Sequence, residues 1–86
     1  MTECFTIAVE HDTVNDAVII RIVPCRIECD QGDVLVVRLL DDDMLLTNRA
    51  KDEVWQTRAE AVMPAARIVR ECRNLGKRCR LKRSGT

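Results

Sequence analysis

Two nearly continuous apolar runs, AVIIRIVPCRIEC and VLVVRLL, are separated only by DQGD at Asp30 to Asp33. Both are short and bounded by polar residues, and the glycine between them supplies a tight turn, so they predict adjacent antiparallel strands. In the first run Val18, Ile20 and Ile22 share one face, whereas Val23, Cys25, Ile27 and Cys29 share the other. The apolar parity changes at Val23-Pro24. Proline cannot donate to a ladder, so the economical reading is one long strand with a bulge or bend there and Pro24 at an unpaired edge position. In the second run Leu35, Val37 and Leu39 fall on one face and Val34 and Val36 on the other.

The segment before these runs, ECFTIAVEHD, alternates Phe5, Ile7 and Val9 with Thr6, Ala8 and Glu10, the period of a strand with one buried face. With HDTVND as its loop, it completes a three-strand meander. Asp41, Asp42 and Asp43 end the third strand, and MLLT is long enough for a short fourth. Residues 44–56 read either as strand or as the start of a helix.

Thr57-Arg58-Ala59-Glu60 fits a capping box, which starts a helix. Ala61, Ala65, Ile68, Cys72 and Leu75 then recur at steps of four and three, with Val62 and Val69 widening the stripe. Gly76 stands where a left-handed cap belongs. Pro64 conflicts with an unbroken helix, because an interior proline costs about 3 kcal/mol against alanine. The rival parse begins a helix at Asn48, runs it through Trp55 and restarts at Pro64. Beyond Gly76, Cys79 and Leu81 alternate with Arg78, Arg80 and Lys82, the pattern of a closing strand. The predicted fold class is α+β: an antiparallel meander sheet of four to five strands with one main amphipathic helix on one face. Eighty-six residues are the length of one domain. It is expected over 1–83, with 84–86 a flexible tail.

A single helix covers only part of such a sheet, and the third strand is apolar on both faces, so apolar surface is expected to remain and to favour a homodimer. The first residues lack a signal-peptide pattern and no run approaches the ~18 apolar residues of a membrane span, so a cytoplasmic location is expected. In that reducing setting the five cysteines read as thiols.

Charge is distributed unevenly along the chain. From Arg70 to Thr86 seven cations meet one anion, a net +6, which leaves −6 on residues 1–69 of a chain with net charge zero. Arg67, Arg70, Arg73, Arg78, Arg80 and Lys82 form the candidate basic face; arginine outnumbers lysine throughout and matches phosphates and carboxylates bidentately. Some of these charges have structural duties, near a helix C-terminus or guarding an edge strand. In a meander the first and third connections share one end of the sheet, which gathers Asp12, Asp16, Asp41, Asp42 and Asp43, with Glu10 and His11 beside them, as a candidate acidic docking end.

Catalytic and cofactor signatures are not found. His11 has no nucleophile fixed beside it, and no glycine-rich phosphate loop or nucleophile elbow occurs. Cys25 and Cys29 on one face of a strand would lie about 13 Å apart. That is too far for a shared zinc with sulfur bonds of ~2.3 Å. Cys72 and Cys79 face each other across Gly76, where burial in the core is the ordinary role. Trp55 is placed to pack across the helix start. With one Phe, one Trp and no Tyr, base stacking is disfavoured, so any nucleic-acid contact would be to phosphates. No enzyme activity, cofactor or metal is therefore expected.

A meander, then TRAEAVMPAARIVRECRNLG as an amphipathic helix, then a short closing strand resembles, in size and element order, small proteins of phages and other mobile elements, including anti-CRISPR proteins. The resemblance implies a compact inhibitor or accessory factor that occupies a charged surface of a protein or nucleoprotein complex. The alternative class is a nucleic-acid-binding protein contacting phosphates through Arg70, Arg73, Arg78, Arg80 and Lys82.

Overall fold

The computed structural model describes residues 3–82, the Thr47 side chain excepted. The chain runs β1 (Glu3–Asp12), β2 (Ala17–Asp30), β3 (Val34–Leu39), β4 (Leu45–Ala50), a 3₁₀ turn at Lys51–Glu53, β5 (Val54–Trp55), α1 (Arg58–Asn74) and β6 (Cys79–Lys82). This is the expected α+β class, with β1 to β4 an antiparallel meander and α1 over one sheet face. Among the described residues the sheet has six strands, and β6 joins it by pairing parallel to β2. The tail expected at 84–86 lies outside the described residues.

The fourteen-residue β2 organises everything else. One of its sides pairs with β1 without a shift from Asp12↔Ala17 to Glu3↔Arg26. On the other side the partner changes, from β6 over Val18 to Arg21 to β3 from Cys25 onward. Pro24 falls in this changeover. Its carbonyl accepts from the Leu40 amide at 2.9 Å. Since N and C=O of a strand residue point the same way, its missing N–H faces the gap between partners, where a donor is not needed. The bulge expected at Pro24 is therefore absent. The irregularity lies between Ile27 and Cys29, where two steps of β2 meet one of β3 and leave Glu28 extra. The Ile22 carbonyl, also in the gap, takes a hydrogen bond from Arg58 Nη1 at 3.1 Å, and the same guanidinium lies 5.1 Å from the Phe5 ring centroid.

The sheet order β4-β3-β2-β1-β5 puts at opposite ends two strands that are consecutive in sequence. Across a flat sheet they would be about 19 Å apart, four spacings of ~4.8 Å. The chain from Ala50 to Val54 reaches at most about 14 Å, and less through a 3₁₀ turn. The sheet must curl until its outer strands approach, and Thr6 Oγ1 fastens the closure by donating to the Glu53 carbonyl at 2.8 Å. Inside the curl lie Cys4, Ala8, Val23, Cys25, Leu35, Val37 and Leu39, with Leu46 and Val54 against them. Two expectations change as a result. β1 buries both faces, with Cys4, Thr6 and Ala8 inside the curl and Ile7 under the helix, while Val9 is 62% exposed. The face of Leu35, Val37 and Leu39 is enclosed by the sheet itself, so it does not remain as apolar surface for a dimer.

Residues 45–50 are strand, and the helix from Asn48 does not form. In β4 three residue steps, Leu46 to Arg49, oppose two in β3, and Asn48 absorbs the extra residue with φ 58°, which asparagine tolerates better than most residues. The helix begins at the capping box: Thr57 Oγ1 accepts from the Glu60 amide at 3.2 Å and donates to Glu60 Oε1 at 2.8 Å. α1 continues through Pro64 for seventeen residues. Its buried stripe is Ala61, Ala65 and Val69, whose small side chains let the helix sit close on Ile7, Ile20 and Ile22. Leu75, expected in that stripe, is instead the C-cap and is 76% exposed. Gly76, at φ 81°, ends the helix by a Schellman pattern, its amide bonding Arg73 O and the Lys77 amide bonding Cys72 O. The chain then returns along β2 as β6, with Cys79 buried and Leu81 half-buried under α1.

Candidate charged binding surface

The meander brings the acidic residues to one end, as its geometry requires, but they meet cations that the sequence reading did not place there. Arg21 is opposite Ala8 in register, two pairs along from Glu10 and on the same sheet face. Its guanidinium contacts Glu10 at 2.6 Å, Asp41 at 2.7 Å and Asp42 at 3.6 Å, with only 15% of the side chain exposed. Burial opposes the Arg21 charge, yet Asp41 and Glu10 outweigh it and hold the group above its ordinary pKa. Arg38 likewise bonds Glu28 Oε1 at 2.6 Å and Asp43 Oδ1 at 3.1 Å. The available signal was positional: Arg21 and Arg38 interrupt the apolar runs AVIIRIV and VLVVRLL, where a cation requires a nearby anion.

Asp12 and Asp16 have local roles. Asp12 accepts from the Val14 and Asn15 amides at 3.1 and 3.2 Å and from Asn15 Nδ2 at 2.8 Å, which holds its carboxyl below the ordinary value. Asp16 adopts φ 48° and lies 3.4 Å from His11 Nε2. The five aspartates thus divide into two turn formers and three partners of buried or half-buried arginines.

The basic residues surround β6. Because the Val18 amide bonds the Arg78 carbonyl at 2.8 Å, the backbone groups of Arg78 and Arg80 face β2 and those of Cys79 and Leu81 face outward. This outer edge has no strand partner among the described residues. Arg73 Nε donates to the Cys79 carbonyl at 2.9 Å, and among the described residues no strand pairs with the outward backbone of Leu81. On the helix side of the edge runs a groove of about 470 Å³ lined by Ala66, Val69, Arg70, Arg73, Asn74 and Leu81. Arg67 stands one turn before Arg70 on α1. On the opposite sheet face are Arg80 and Lys82, both exposed. Of the six expected cations, Arg70 and Arg73 flank the edge on the helix side and Arg80 and Lys82 on the other face, whereas Arg67 lies on the side of α1 away from the buried stripe and Arg78 is turned toward the start of β2.

Sequence-level charge separation is partly folded away. β6 lies beside the start of β2, so Arg78 Nη1 reaches the Asn15 carbonyl at 3.4 Å and Arg80 lowers the Asp12 pKa as a minor contributor. A cleft of about 620 Å³ between these parts is lined by Glu10, His11 and Asp16 on one side and by Gly76, Lys77 and Arg78 on the other. Arg67, Arg70, Lys77, Arg80 and Lys82 make no ion pair or side-chain hydrogen bond with the described residues. Trp55 and Phe5 pack against the helix-side core, so neither offers a ring to this surface. No helix of the described residues is long and apolar enough to cross a membrane. No protein-family model, curated protein or solved structure matches this chain.

Proposed function

We propose that this chain is a small binding protein, acting as an inhibitor or accessory factor without catalysis of its own. It docks an acidic segment of a protein or nucleoprotein partner along the β6 edge. One observation carries the reading: among the described residues β6 is an edge strand without a second partner, and the exposed cations beside it, Arg70 on one face and Arg80 and Lys82 on the other, make no ion pair there. An added strand would take its main-chain bonds from Leu81 and set alternate side chains toward Arg70 on one face and toward Arg80 and Lys82 on the other. The acidic end is the weaker docking candidate, because Arg21 and Arg38 already occupy Glu10, Asp41, Asp42 and Asp43. A cytoplasmic site of action fits this role and the five thiols.

The second reading is phosphate contact with nucleic acid by the same arginines, favoured by their exposure. Fluorescence anisotropy separates the two. The probes are a labelled peptide alternating glutamate with valine, its lysine counterpart, and short duplex and single-stranded DNA, each titrated from low to physiological salt. Saturable binding of the acidic peptide alone, lost in Arg80→Glu/Lys82→Glu and in Arg67→Glu/Arg70→Glu, is expected. DNA binding that falls log-linearly with salt moves the function to phosphates, and no binding of any probe at low salt removes both readings.

A further inference from the structure

Cys4 and Cys25 face each other across β1 and β2. Pro24 directs its carbonyl to the β3 side, so the next residue, Cys25, directs its backbone to β1 and forms a hydrogen-bonded pair with Cys4. Such pairs hold their Cα atoms about 5.5 Å apart, within the usual disulfide range. The sulfurs are 2.7 Å apart, closer than unbonded sulfur atoms pack, and Cys4 Sγ also donates to the Cys25 carbonyl at 3.3 Å. Both residues lie inside the curled sheet, 6% and 0% exposed. Burial, then the hydrogen bond with Cys4, pushes the Cys25 thiol well above its ordinary pKa. Cys4 lines a cleft of about 350 Å³ at the mouth of the curl, beside Leu35, Val54 and Trp55, whereas Cys25 is fully buried.

We infer that Cys4 and Cys25 are a reversible oxidation site, closed to a cross-strand disulfide by a low-molecular-weight disulfide such as oxidised glutathione. The Cys4 sulfur, entered from the cleft, attacks the reagent, giving a mixed disulfide and releasing one thiol. The Cys25 sulfur then attacks Cys4 Sγ, its proton passing to the departing sulfur, and the second thiol is released. Two protein thiols and one reagent disulfide become one protein disulfide and two reagent thiols, so hydrogens and electrons balance. The product staples β1 to β2 from within the sheet. Cys29, exposed on the bulged end of β2, has no facing sulfur. Cys72 on α1 and Cys79 on β6 belong to the same helix-side cluster and are the internal competitor.

The test uses the full chain with Cys29, Cys72 and Cys79 changed to Ser, equilibrated in glutathione buffers from reducing to oxidising. The expected result is loss of two hydrogens from the intact mass without a retained glutathione adduct. A non-reducing tryptic digest should join peptide 1–21 to peptide 22–26. The oxidised form should melt about 5–15 °C higher. Persistent thiols in the most oxidising buffer, a glutathione adduct on Cys4 that never resolves, or closure only in denaturant would each overturn the inference. If the triple variant does not fold, the same digest on the wild-type chain decides. The 1–21/22–26 link supports the site, and a Cys72–Cys79 link with Cys4 and Cys25 still open to alkylation refutes it.

Discussion

Replacing Arg21 with methionine tests the finding that the acidic end is neutralised from within. The guanidinium makes two short charged hydrogen bonds, to Glu10 and Asp41, and one longer contact to Asp42. Such bonds contribute about 1.5–3 kcal/mol each when buried. These carboxylates are 46%, 38% and 39% exposed, so solvent screening reduces each contact toward the surface value of about 1 kcal/mol or less. Arg21 Nε is buried without a hydrogen-bond partner, a cost of roughly 1 kcal/mol that methionine does not incur. Methionine also keeps the stem packing. The net loss is then about 1–2 kcal/mol, or a fall in Tm of roughly 5–15 °C for a domain of this size. Urea unfolding followed by circular dichroism measures it, and a cycle with Asp41→Asn isolates the pair, with an expected coupling of about 0.5–1 kcal/mol. If Arg21→Met lies within about 0.3 kcal/mol of wild type, or the coupling is of that size, the arginine does not hold this end together and the aspartates regain standing as a docking surface.

Three further outcomes follow from the geometry. Thr6→Val keeps the shape of a fully buried residue but removes the bond to the Glu53 carbonyl, and should cost about 1–2 kcal/mol with faster amide exchange in β5; unchanged stability and exchange would mean that the curl closes without it. Pro64→Ala restores an amide facing the Glu60 carbonyl at the seventh residue of α1 and should stabilise by about 1–3 kcal/mol in urea; a loss would show that the proline's effect on helix shape is what seats Ala61 and Ala65. Asp12 titrates below its ordinary value because Asn15 bonds its carboxylate. Its contribution is present above the unfolded pKa of about 3.9 and lost as pH falls through the lower folded value, so carboxyl-carbon NMR should give a midpoint below 3.8, and one at or above it refutes the turn's role.

Local grammar was readable in the chain. The DQGD turn, with Gly32 at φ 84°, the Thr57 cap, the Gly76 terminator and the alternation of Cys79 and Leu81 with Arg80 and Lys82 each depend on residues within a few positions of one another. So did the gathering of Glu10 with Asp41 and Asp42, because meander parity decides which connections share an end. The cations at the candidate surface were equally legible, but their grouping was not. Period-two patterning says that Arg80 and Lys82 share a face without saying which strand lies beside them, so the parallel pairing of β6 with β2 and the approach of Arg80 to Asp12 were invisible.

What the chain by itself determined is the three-strand meander, the capped helix and the closing strand, because helix caps, turns and alternation are set by neighbouring residues. Only the tertiary structure decided the rest, for reasons of chain length and pairing. The short link from Ala50 to Val54 forces the sheet to curl, which turns a supposedly spare apolar face into an interior and sets Cys4 against Cys25. The change of partner along β2 makes Pro24 harmless, and the return of β6 leaves an edge with no strand partner among the described residues and with cations on both of its faces. These are contacts between residues far apart in sequence, and periodicity carries no record of them.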